Sequence, residues 1–259
     1  MNFFIIGLLN IGKEQTMSKN INEIRYFNFP ICLIKDIFNN KREVFDNIWD
    51  YSIYKHALNL KFGTIKEKIK ASFEYFKVTS SEDRVLENGK YLLDKIPNNS
   101  PVTNISTNVY FDFYKNNKNE FEIEVFCGYC AIRSILLLKP YCKTTNDYML
   151  VRMAGLSNVN EINNLPEPFK KHTRTHEAKR YYLNKIKIEL HVIWNLNIYA
   201  KYTRGFYVSF KQDINYLALK AVQKTQKYKS KKYLQEQTEA HKFVCEYLAE
   251  CHNNTITTP

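Results

Sequence analysis

A chain of 259 residues with 44% hydrophobic and 15% aromatic content can bury one good core or two smaller ones, which excludes global disorder and any need for disulfides. Seven glycines and seven prolines are too few for the turns of a many-stranded sandwich or barrel. The formal charge is +12, and residues 169–211 alone hold ten Lys or Arg against Glu177 and Glu189, a net of +8; solvated faces usually mix signs, so this clustering points to an anionic partner.

The chain opens on an apolar run, Phe3 to Leu9, with no basic residue before it and too few residues to span a bilayer. Met17-Ser18-Lys19-Asn20 makes a more ordinary start, so residues 1–16 read as a start-site extension. No other stretch approaches membrane length. The six cysteines (Cys32, Cys127, Cys130, Cys142, Cys245 and Cys251) are scattered rather than framed, as expected of reduced thiols in the cytoplasm.

Residues 24–38, around Pro30, read as a short strand or a turn into helix. From Val44 to Leu60 the apolar residues Phe45, Ile48, Trp49, Ile53 and Leu58 fall near helical spacing. Gly63 breaks that helix, and Thr64 caps the next one, Ile65 to Val78. Thr79 and Glu82 have capping-box spacing, and the helix they open runs to Ile96, before Pro97. After a loop at 98–101, Ile105 to Tyr114 is a further amphipathic segment. The polar run 116–119 marks a boundary, and residues 17–116 are predicted to form a helical domain.

Beyond it, Phe121, Val125, Ile132, Ile135 and Leu136 keep helical spacing up to Pro140. Thr144 and Thr145 are candidate caps for a short helix, Asn146 to Ala154, which Gly155 closes. A loop holding Pro166 and Pro168 leads into a helix from His176 to Trp194. The runs 196–202 and 206–210, rich in β-branched and aromatic residues about Thr203-Arg204-Gly205, signal a hairpin. Residues 212–259 are a long helix with a polar tail; Lys220, Lys224, Lys227, Lys229, Lys231 and Lys232 follow one another in it without an acid. The fold class is mainly α, with a small β-hairpin and a long C-terminal helix.

Helix, helix, longer basic helix, hairpin over residues 117–211 resembles the winged helix-turn-helix DNA-binding superfamily. The resemblance is one of order and pattern, without a diagnostic motif, and the connection from Gly155 to Thr175 is long for it, so that segment must hold an extra turn. It implies that the third helix enters the major groove while the hairpin lies along the backbone. On that helix Leu183, Ile186, Leu190, Ile193 and Trp194 share one side, leaving Tyr181, Asn184 and Lys185 opposite, with Arg180 and Lys187 on a border. Its later outer positions, Ile188 and Val192, are apolar, so the helix is expected to be exposed at its start and buried at its end. Asn pairs with adenine, and Lys or Arg with guanine. Lys170, Lys171 and Arg174 before the helix, and Lys201, Arg204 and Lys211 at the hairpin, suit phosphates, and Lys179 joins the nucleic-acid-binding set. The expected partner is double-stranded DNA, with RNA or an acidic protein as the alternative. Tyr181, Tyr202 and Tyr207 are available to stack on a single strand, and the C-terminal helix is a candidate homodimer contact.

Two chemistries compete. Cys127-Gly128-Tyr129-Cys130 after Phe121–Phe126 has the strand, Cys-x-x-Cys, helix order of a thioredoxin-like site, but helical spacing can be drawn straight through it. Cys127, Cys130 and Cys142 with His172 and His176 offer zinc ligands at a spacing far longer than a compact finger. No phosphate-binding loop, Gly-x-Ser-x-Gly elbow or His-Glu-x-x-His is present. The expectation is a non-catalytic protein without a cofactor.

Overall fold

The computed structural model describes residues 24–200 and 205–256, with side chains through 244. The first half is a helical layer on a two-stranded ribbon. Strand β1 (Tyr26–Pro30) pairs antiparallel with β2 (Val102–Ser106), and α1 (Lys41–Asn59), α2 (Ile65–Phe76) and α3 (Glu82–Lys95) lie between them in sequence. α1 is the central element: Phe45, Ile48 and Ile53 are fully buried, and so is its carboxylate Asp50. Asp50 is held by Arg84 and Asn88 of α3, each donating at 2.9 Å.

Caps set the helix starts. Thr64 and Glu67 close a capping box on α2: the Glu67 amide donates to Thr64 Oγ1 at 3.4 Å, and the Thr64 amide to Glu67 Oε2 at 2.7 Å. The box expected from Thr79 and Glu82 does not form; Ser81 caps α3 instead, accepting from the Arg84 amide. The amphipathic segment Ile105 to Tyr114 is divided between two elements. It is strand to Ser106, with Thr103 and Ile105 buried and Val102 exposed, and turns helical at α4 (Thr107–Lys115), where Ser106 accepts from the Val109 amide.

The second half begins with α5 (Glu120–Leu136), opened by a capping box of Asn119 and Glu122. It continues through β3 (Cys142–Thr144), α6 (Asn146–Met153), a 3-10 turn at Val159–Asn164, α7 (Glu167–Lys170), α8 (His176–Trp194), β4 (Asn197–Tyr199), β5 (Phe206–Ser209) and α9 (Ile214–Ile256). Thr145 and Thr175 cap α6 and α8, and Gly155, at φ +72°, lets the chain turn away after α6. The hairpin strands β4 and β5 pair antiparallel as expected. β3, which the sequence pattern did not reveal, joins on the far side of β5, giving the order β3-β5-β4.

One hydrophobic core runs across the polar stretch 116–119, joining Phe27 and Phe45 of the first half to Phe126, Met149, Ile186 and Val208 of the second. At the crossing of α5 and α8 the packing is close: a Cβ on Gly128 would lie 2.7 Å from Ile186 Cγ2. Glycine in a helix costs about 1 kcal/mol against alanine, and here it lets two helices approach more closely than any side chain allows. A smaller cluster of Tyr207, Leu217 and Ala221 seats α9 on the sheet. No helix among the described residues is long and apolar enough to cross a membrane.

Candidate nucleic-acid interface

The opening turns of α8 stand clear of the core. Arg174, Arg180, Tyr181, Asn184 and Lys185 are exposed, while Tyr182, Leu183, Ile186 and Leu190 are buried on the opposite side. Alternation of period 3.6 thus turns one face to the core and the other to solvent. Among the described residues neither Arg174 nor Arg180 is ion-paired, and Lys185 Nζ lies 4.7 Å from the centre of the Tyr181 ring. Lys211, just beyond β5, is exposed too.

The remaining basic residues of the predicted set are engaged within the chain. Lys179 donates to Asp147 at 2.6 Å. Lys187 donates to Asn146 at 2.6 Å and lies 3.9 Å from the Phe206 ring centre, and burial pushes its ammonium down to about 8. Lys171 pairs with Glu120, and Lys170 lies 3.4 Å from Glu167. Exposed ion pairs of this kind exchange readily, so Lys170 and Lys171 remain available to an anion, whereas Lys179 and Lys187 brace α8 against the start of α6. Lys201, Arg204 and Tyr202 lie outside the described residues. Tyr207 is 3% exposed and is removed from the stacking set.

The far end of α8 departs from expectation. Ile188, Val192 and Ile193 are 60%, 68% and 54% exposed. Apolar character placed them inside, but among the described residues no element covers that side. The outer face of α8 therefore runs from cationic to apolar.

Sequence reasoning missed Glu124. It sits in α5 beneath the start of α8, 3% exposed, with Oε1 accepting no aligned hydrogen bond and lying 3.4 Å from His172 Nε2. Burial pushes its carboxyl up to about 7, opposed by Lys171. His172 stacks on Tyr182 with ring centres 4.2 Å apart, and burial and the Lys171 charge hold its imidazole below the ordinary value. The clue was an acid inside an apolar helical run: spacings of three and four residues from Phe121 and Gly128 put Glu124 on the inner face of α5.

The competing chemistries lose their geometry. Cys127 and Cys130 lie in the middle of α5, both fully buried, and burial pushes both thiols up, the reverse of an activated thiol at a helix start. The zinc set is not assembled; among the described residues no three His, Cys, Asp or Glu side chains are gathered for a metal. Comparisons with family models, curated proteins and solved structures find no match.

Proposed function

We propose that this chain binds double-stranded DNA without catalysing a reaction, as a transcription regulator or a replication-initiation type of protein. The observation that carries the reading is the exposed, unpaired cationic surface at the opening of α8, with Arg174, Arg180 and Lys185 beside Asn184. The order of helix, helix, longer basic helix and hairpin, in α5, α6, α8 and β4–β5, supports a winged-helix arrangement. The long connection that counted against it holds a 3-10 turn and α7. In this reading Asn184 and Lys185 meet base edges, Arg174 and Arg180 meet phosphates, and Lys211 extends the contact along the hairpin. α9 is the element through which two copies would pair, giving two half-sites.

A second reading, a single-stranded RNA partner, rests on Tyr181, 64% exposed with a lysine over its ring. Titration of labelled duplex DNA, single-stranded DNA and RNA across salt concentration separates the two. For the duplex reading, the wild type binds duplex most tightly, and its affinity falls steeply with salt. The variant Arg174→Ala, Arg180→Ala, Lys185→Ala, Lys211→Ala keeps its fold and loses about 3 from the log–log salt slope, since the phosphate contacts of Arg174, Arg180 and Lys211 each contribute roughly 0.9. Absent binding in low salt, or an unchanged slope in the variant, would overturn the proposal.

A further inference from the structure

A cleft of about 530 Å³ opens between α5 and α8, beside the exposed turns, large enough for a nucleotide. Its floor is polar yet shut from water. Glu124 lines it at 3% exposure, its Oε1 3.4 Å from His172 Nε2 but in no aligned hydrogen bond among the described residues, and the buried Tyr182 hydroxyl likewise has no aligned partner among them. A buried carboxyl oxygen whose near imidazole is not aligned to donate is costly, and a ligand that brings an aligned donor relieves it. The walls are apolar: Phe121 and Tyr181 present 36% and 64% of their surfaces, and Ile188 adds to them. The rim carries Lys185 and Lys171, with Glu189 between the cleft and the far end of α8.

A matching ligand has a flat ring, N–H donors along one edge, and negative charge at its other end. A simple ammonium would meet the rim lysines unfavourably. Adenine and cytosine set an acceptor beside their amino donor, which a carboxylate repels. Guanine sets two donors side by side. We propose that this cleft binds a guanine base, its N1–H and 2-amino edge toward Glu124, its ring against Phe121 and Tyr181, and its phosphate toward Lys185. The same groups would hold a free guanine nucleotide or an unpaired guanine in a strand. The site lies on the side of α8 that faces α5 and does not require that the chain grip a duplex.

Calorimetry of the full chain with guanosine monophosphate and adenosine monophosphate tests the free nucleotide. Anisotropy of an oligothymidine strand with and without one central guanine tests the strand. A guanine preference of at least tenfold is expected in one arm or both, and the arm that shows it identifies the source. Glu124→Gln, checked for folding by thermal melting, should erase the preference. Tyr181→Ala, at an exposed position, should weaken binding of either ligand several-fold. Arg174→Ala, Arg180→Ala, Lys211→Ala should keep guanine binding while losing duplex, so failure of one reading is told apart from failure of the other. Equal affinity for the two nucleotides with no guanine effect in the strand, or an undiminished preference in Glu124→Gln, overturns the proposal.

Discussion

On the border of the α8 contact face, Lys187 shows how burial redirects a charge. Spacing set it among the DNA contacts, yet its ammonium turns inward to Asn146 and the Phe206 ring, and burial lowers it from 10.5 to about 8. A base held below its unfolded value penalises the fold in full while both states are protonated, below about 8. The penalty fades as pH rises from about 8 to 10.5. Lys187→Met removes the buried charge, keeps the apolar stem and leaves Asn146 without one donor. The expected outcome is a gain of about 1 kcal/mol at pH 7 that shrinks in melts run at pH 9 and above, with duplex affinity unchanged. Lys185→Met, two residues earlier and exposed, should lower affinity at no cost in stability. A Lys187→Met variant that binds as poorly as Lys185→Met would return Lys187 to the interface.

At the level of elements, the α5–α8 crossing decides where the cationic turns stand. Gly128→Ala would thrust a methyl to 2.7 Å from Ile186 Cγ2 and 3.4 Å from Leu190 Cδ1. Overpacking of this kind costs about 1–3 kcal/mol, more than the helix propensity gained. Denaturant unfolding should show that loss, and a double-mutant cycle with Ile186→Ala should shrink it; equal losses in both backgrounds would mean that the crossing is not tight. This contact also shows what was legible in the sequence. Helical spacing drawn through Cys127 and Cys130 located α5, but why a glycine sits there needed the partner helix. Long periodic segments with Thr caps, as at Thr64 and Thr145, and a closing Gly155 could be read because their information is local. β2 and β3 could not, since three to five residues hold too little pattern, and β3 exists through its pairing with distant β5. Periodicity likewise told which residues of α8 share a face, but not that Ile188 and Val192 are exposed. Of the candidate site, the exposed turns were foreseen from charge and spacing. Glu124 was not, because a lone acid in an apolar run becomes a site only when His172 and Tyr182 arrive from a distant segment.

Across the whole molecule, charge and packing part company along α9. Its anchor is short: Leu217 and Ala221 meet Tyr207 on the sheet. From Val222 to Val244 every side chain is exposed except the half-buried Thr225, a length of roughly 35 Å at about 1.5 Å per residue. Along it Lys224, Lys227, Lys229, Lys231 and Lys232 precede the first acid, Glu236, which pairs with Lys232 at 3.4 Å. A projecting helix with little packing adds little to the stability of the core, yet under the proposed duplex binding its cations would reach phosphates beyond those near α8. Ending the chain after Gln226 keeps the anchor and removes four of these lysines. The melting temperature should then stay within about 2 °C, while the log–log salt slope for duplex binding should fall by roughly 2, as some but not all of the four contact phosphates from one helix. Sedimentation of both forms separates lost cations from lost pairing. If the full chain is a dimer and the shortened one a monomer, the affinity deficit should lessen at high protein concentration; if both have the same oligomeric state, the deficit is electrostatic and should vanish at high salt. A shortened chain that binds duplex as tightly as the full one, with the same slope, would leave α9 with no part in binding.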